Sequence, residues 1–213
     1  MDRLALLRRL AEVLGARRYL EIGVWEGRTF AGLADLIPDR VGVDPDPRAR
    51  ATVRQTSDEY FAALVEGPCE PFDLVFVDGL HERRQVVRDV RNALEVLAPH
   101  GVVVVHDCNP PDERSVRVPT SDDERRSFQT SLWCGDVWRG WLDLRVDLER
   151  PLLVYGPDLG CGLVLPPGTL EVQRLEAGEN GDLSWSAFVS ARERLLPIAS
   201  AEDLEEVFRA LRR

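Results

Sequence analysis

Apolar positions along the chain follow two periods in turn. Over residues 3–14, Leu6, Leu7, Leu10, Val13 and Leu14 share one face at helical spacing, and Gly15 stands where a helix would stop. The run "RYLEIGV" reads as a strand. Beyond a glycine turn, Phe30, Leu33, Ala34 and Ile37 return to helical spacing until Pro38. "RVGVDPD" predicts a second strand ending in Asp44, and "ATVRQ" a third, followed by a helix over "TSDEYFAALV". "FDLVFVDG" is a fourth strand, ending in Asp78. Residues 82–97 place Val86, Val90, Ala93, Leu94 and Leu97 on one helical stripe, and "GVVVVHD" is a fifth strand ending in His106 and Asp107. Short, continuously apolar strands alternating with helices are buried on both faces, which predicts an α/β, doubly wound, mostly parallel sheet.

The alternation breaks at residue 109. Residues 109–130 are polar, proline-containing and dense in both charges, which predicts a long loop, either a solvated excursion or a lid. "LWCGDVWRGWLDL" reads as an aromatic helix. "PLLVYG" and "CGLVLP" read as two late strands, an antiparallel hairpin around "PDLG", and bring the predicted sheet to seven strands. Two helical stretches end the chain, the second with Ser200 and Asp203 at capping-box spacing. The expectation is one domain over 1–213: an N-terminal helix (1–16), a ligand-binding core (17–108), a lid or substrate loop with its helix (109–143), and C-terminal strands and helices (151–213).

Composition narrows the function. The 213 residues carry a formal net charge of -10, which argues against a nucleic-acid coat and against an anionic membrane surface. All 27 basic residues are arginine, so Schiff-base and P-loop lysine chemistry is excluded. Cys69, Cys108, Cys134 and Cys161 are widely spaced, with no CxxC pair and no signal-peptide pattern, which predicts reduced thiols in a cytoplasm. No apolar run approaches the roughly 20 residues that span a bilayer.

In an open parallel sheet, ligands bind beyond the carboxyl ends of the strands. Four strand ends here carry acids: Glu21 ahead of Gly23, then Asp44, Asp78, and Asp107 beside His106. Gly23 and Gly27 permit close backbone approach before the next helix. Asp44, 21 residues after Gly23, stands where an acid accepts hydrogen bonds from a ribose. The dinucleotide pattern GxGxxG is absent. Glu21 and Glu26 beside the turn make a poor pyrophosphate site, which wants N–H donors without nearby anions. A nucleoside carrying positive charge fits better. S-adenosylmethionine has a ribose, a sulfonium and an ammonium, and no phosphate. The competing readings are a plain strand-to-helix turn, a nucleotide-dependent oxidoreductase and a non-catalytic binding module.

The stretches "LEIGVWEG", "GVDPD" and "FDLVFVDGLHERRQVVRDVRNALEVLAPHGVVVVHDCNPP" resemble class I S-adenosylmethionine-dependent methyltransferases. They are most similar to bacterial small-molecule O-methyltransferases related to the macrocin and mycinamicin sugar methyltransferases. The resemblance covers residues 17–111 well and extends weakly through "GDVWRGW" and "DLGCG". It implies a Rossmann-like fold and methylation of a hydroxyl on a sugar or sugar-bearing molecule, with a catechol-like or other small metabolite as the alternative acceptor. By the same resemblance, Glu21, Gly23 and Gly27 form the cofactor turn, Asp44 takes the ribose, and Ser57 and Asp58 contact the adenine. Asp78 holds a divalent metal, by resemblance Mg²⁺, and His81, three residues on, is the general base. Two consecutive residues after the fifth strand complete the metal site. Where the sugar enzymes usually show two acids, this chain has His106 and Asp107, and Asn109 is the alternative oxygen donor. Relatives of this kind are often homodimers.

Each position also has a structural alternative. Asp78 could cap the helix near residue 82, His81 could be a surface histidine, His106 a hydrogen-bonded core residue and Asp107 a turn residue. Trp133, Trp138 and Trp141 are either core or a sugar-stacking platform. Asp136 and Asp158 are either acceptor contacts or turn organisers.

Overall fold

The computed structural model describes residues 1–65, 67, 70–121, 123, 124, 128, 132–181 and 183–212. Strands β1 (Arg18–Ile22), β2 (Asp39–Val43), β3 (Phe72–Val77) and β4 (Leu97–Val105) run parallel, and β5 (Leu152–Tyr155) and β6 (Cys161–Val164) extend the sheet. The strand order is β2-β1-β3-β4-β6-β5, with β6 antiparallel to both of its neighbours. Helices are α1 (Arg3–Leu14), α2 (Arg28–Gly32), α3 (Ser57–Val65), α4 (Arg83–Glu95), α5 (Val137–Asp147), α6 (Trp185–Leu195) and α7 (Ala201–Leu211).

The sheet is covered on both faces, as its apolar strands require. On one face Val75, Val77, Val103 and Val105 belong to a cluster with Val90 of α4 and Trp141 of α5. On the other, Leu74, Phe76 and Val104 join Leu6 and Leu10 of α1 and Phe208 of α7. Trp138 and Trp141 are fully buried, and Trp138 packs 4.2 Å from Phe188, centroid to centroid. A Cβ on Gly162 would stand 2.5 Å from the Trp141 ring, so β6 needs glycine there. The predicted caps are present: Gly15 ends α1 at φ +57°, and Ser200 with Asp203 forms a reciprocal capping box on α7.

Among the described residues the sheet has six strands, not seven. In "ATVRQ", Thr52 and Val53 both donate their N–H to the Gly42 carbonyl, so no ladder propagates and Val43–Val53 is an isolated bridge. The helix predicted up to Pro38 is regular only over α2, although Leu33 and Ile37 still reach the core. Cys108, Cys134 and Cys161 are free and buried, and Cys69 lies outside the described residues. No helix among the described residues is long and apolar enough to cross a membrane.

Candidate active site

A cleft of about 1030 Å³ opens over the carboxyl ends of β1, β2 and β3. Its floor is the turn after β1. Gly23 sits at φ +86°, and a Cβ there would lie 2.0 Å from the Asp78 carbonyl oxygen. Only glycine lets the ends of β1 and β3 come so close. Gly27, at φ +72°, precedes α2. Asp44 ties this turn to β2: its Oδ2 accepts from the Val24 and Trp25 N–H groups at 3.0 and 2.9 Å, and its Oδ1 accepts from the Asp46 N–H at 2.9 Å. Asp44 therefore builds the turn as well as lining the cleft. Ser57 and Asp58 line the same cleft at the start of α3, where the Gln85 amide donates to both, at 3.0 and 3.1 Å.

Glu21 lies beneath the turn, 1% exposed, and accepts a 2.6 Å hydrogen bond from the Tyr19 hydroxyl. Burial pushes its carboxyl up to about 8; the Tyr19 bond opposes this and the Asp78 charge adds to it. Glu26 points outward and pairs with Arg28 at 2.8 Å.

Asp78 and His81 line the other end of the cleft, and Asp107 lies buried against them. Their ligand atoms all lie within 4.8 Å of one another, and among the described residues they form the group arranged to hold a cation. His81 Nδ1 donates to the Trp133 carbonyl at 2.9 Å, which leaves Nε2 facing Asp78 Oδ1 at 3.4 Å. Burial opposes charge on His81, but Asp107 and Asp78 outweigh it and raise its pKa. Burial likewise opposes ionisation of Asp78, yet His106 and His81 hold its carboxyl well below the ordinary range.

His106 is not one of those three groups. It is buried behind them, Nδ1 3.2 Å from Asp78 Oδ1 and 3.2 Å from Asp107 Oδ1, and Nε2 2.9 Å from the Asp158 carbonyl. Despite burial, those carboxylates raise its pKa well above the ordinary histidine value. One Nδ1 proton cannot serve two carboxylates, and Asp107 Oδ1 is buried with no hydrogen bond among the described residues. Asp107 also sits at φ +62°, a backbone cost that persists at constrained sites. An orphaned carboxylate oxygen beside Asp78 fits a divalent cation, which would supply the missing partner.

The structural alternatives separate by geometry. Asp78 does not cap α4; Asp136 accepts from the Arg83 N–H there at 2.6 Å. Asp158 lies in the β5–β6 turn at φ +54°, and its carboxylate accepts from the Arg3 N–H at 2.9 Å. Asn109 Oδ1 accepts from Arg192 at 2.9 Å, and its Nδ2 donates to the Gly156 carbonyl at 3.4 Å. Of the three tryptophans only Trp133 reaches the cleft, 4.9 Å from the His81 ring and joined there by Phe128. Both come from the segment expected to act as a lid, of which residues 122, 125–127 and 129–131 lie outside the described set. A left-handed Gly135 lets that segment press on the His81 carbonyl; a Cβ there would stand 1.9 Å from it. Arg3 and Gln85 also line the cleft, and no local pattern pointed to either, because both act across long sequence separations.

Residues 20–108, which run from β1 through β4, match the family described as a methyltransferase domain. No curated protein matches the chain closely enough to lend it a function. Among solved structures, an O-methyltransferase from Bacillus cereus in complex with S-adenosylhomocysteine aligns at 19% identity over 76% of this chain and 80% of its own, with a TM-score of 0.54. The Streptomyces achromogenes O-methyltransferase TomG, involved in tomaymycin synthesis and solved with S-adenosylmethionine, aligns at 23% identity over 78% and 80%, with a TM-score of 0.52. A Podospora anserina methyltransferase bound to S-adenosylhomocysteine gives 18%, 76%, 77% and 0.55. The fold is the Rossmann-like fold of these methyltransferases.

Proposed function

We propose that the chain is an S-adenosylmethionine-dependent O-methyltransferase that uses a divalent cation to methylate a hydroxyl of a small molecule, a sugar or sugar-bearing acceptor. The observation that carries this reading is one cleft lined by the Gly23–Gly27 turn and Asp44 at one end and by Asp78 and His81 at the other, with Asp107 buried against that pair. The bound S-adenosylmethionine supplies an electrophilic methyl group, and the transfer is an in-line displacement, so positioning dominates catalysis. Asp44, Ser57 and Asp58 would hold the nucleoside end, and the Gly23 turn would let the backbone approach it closely. Asp78 and Asp107 would hold the cation. A cation there supplies Lewis-acid chemistry, lowering the pKa of an acceptor hydroxyl.

His81 takes the hydroxyl proton at Nε2. Its Nδ1–H stays on the Trp133 carbonyl, which orients the ring. Asp107 and Asp78 raise the His81 pKa against the effect of burial, which strengthens it as a proton acceptor. The half-buried Trp133 offers a flat face against which a sugar ring can stack. Trp133 with Phe128 would equally clasp a planar catechol, and that is the second acceptor class. The absence of GxGxxG and the acids beside the turn both disfavour the oxidoreductase reading.

The test is calorimetric titration with S-adenosylhomocysteine, with NAD as control ligand, followed by an acceptor screen with Mg²⁺ and with EDTA. Micromolar binding of the former alone, and turnover that EDTA removes, support the assignment. No binding of S-adenosylhomocysteine refutes it. In the same screen His81→Gln separates two roles: a base loses turnover and keeps cation affinity, whereas a ligand loses both.

A further inference from the structure

The cleft is acidic. Glu26, Asp44, Asp46, Asp58 and Asp78 all line it. That suits a sulfonium and an ammonium, but S-adenosylmethionine also carries a carboxylate, which such a wall repels. The anion needs a cation of its own. Two arginines line the cleft. Arg28 is 85% exposed and already paired with Glu26. Arg3 is different. Its side chain is 34% exposed, and its Nη1 is committed to Asp158 Oδ1 at 3.3 Å and stands 3.1 Å from His106 Nε2. Among the described residues nothing engages its Nε or Nη2.

Topology puts Arg3 at the correct end. Asp44 follows β2, whereas Arg3 meets His106 at the end of β4, and the order is β2-β1-β3-β4. Three strand intervals at ~4.8 Å separate them by about 14 Å. A ligand with its ribose at Asp44 crosses β1 at Gly23 and carries its amino-acid arm towards the β3–β4 side. We infer that Arg3 binds the carboxylate of the cofactor's amino-acid end through the guanidinium edge that Asp158 and His106 leave open.

This assignment rests on the S-adenosylmethionine reading above. Arg3 is carried by α1, which is docked through Leu6, Leu7 and Leu10. The Arg3–Asp158 pair fixes the guanidinium before the ligand arrives, so little rotamer freedom is lost on binding. Since the opposite side of the same guanidinium abuts His106, cofactor binding and the acid cluster share one support.

The experiment compares S-adenosylhomocysteine with its decarboxylated analogue, S-adenosyl-3-thiopropylamine, by calorimetry on the full chain. Wild type should favour the carboxylate-bearing ligand by about 10–100-fold, as expected for a charge-assisted pair. Arg3→Met should lose that factor for S-adenosylhomocysteine and bind the amine within about twofold of wild type, and Arg3→Lys should keep part of the preference. A wild type without preference between the two ligands overturns the proposal, and needs no variant. An Arg3→Met penalty equal for both also overturns it, and would make Arg3 a support for Asp158 and His106 only. Wild type binding neither ligand refutes the methyltransferase reading itself, an outcome distinct from both.

Discussion

Glu21 offers a test whose size follows from its surroundings. Its carboxyl is 1% exposed and its pKa is raised from 4.5 to about 8, chiefly by burial. The unfolded chain releases this proton near pH 4.5, the folded chain only near 8. Between those values the folded state binds more protons, so stability falls as pH rises, at up to about 1.4 kcal/mol per pH unit. Over roughly 3.5 units the loss is about 5 kcal/mol, of the order of total domain stability. Glu21→Gln removes the titration yet still accepts the Tyr19 hydroxyl. Urea denaturation across pH 4.5 to 9 should show coincident wild-type and variant curves at the acid end. By pH 9 the variant should lead by about 2 M in midpoint at a slope of about 2 kcal/mol/M. Asp89, pushed up to about 6 by burial, titrates in both proteins and cancels in the difference. Parallel curves throughout would refute the argument that Glu21 is held protonated. A cationic ligand beside Glu21 stabilises its carboxylate and recovers much of this cost, a physical reason for an acid at that point of the cleft.

Three further outcomes are expected. Gly23→Ala forces a Cβ onto the Asp78 carbonyl at φ +86°, so it should cost about 2–4 kcal/mol in chemical denaturation and abolish S-adenosylhomocysteine binding. His81→Ala should lower kcat by ~10²–10⁴-fold with the S-adenosylhomocysteine Kd unchanged, whereas Asp107→Asn should weaken Mg²⁺ or Mn²⁺ binding measured by calorimetry, about 10–100-fold. Trp138→Ala should destabilise by ~3–5 kcal/mol as a core truncation, while Trp133→Ala should leave the melting temperature nearly unchanged and raise KM for the acceptor.

Much of this protein is legible without coordinates, because its elements are set by short-range physics. Apolar runs too short for helices become buried strands, and acids or glycines at their ends become the lip of a cleft. Glu21, Gly23, Asp44, Asp78 and Asp107 thus arrive on one edge of the sheet, as the sequence predicts. Local reasoning fails where pairing partners decide. "ATVRQ" alternates well enough for a strand, but its two N–H groups fall on one carbonyl and the ladder ends at Val53. Trp133, Trp138 and Trp141 look alike in sequence; α5 starts at Val137, and that boundary sends Trp138 and Trp141 into the core and leaves Trp133 at the cleft. "HD" at the end of β4 reads as two ligands. Only the fold shows His106 turned back against Asp158 and Arg3, while His81 swings in from the next loop beside Asp107. The two His106 contacts span 52 and 103 residues and depend on where the β5–β6 turn and α1 dock. Periodicity and spacing carry no information about that docking, because it is settled by the packing of whole elements rather than by neighbours along the chain.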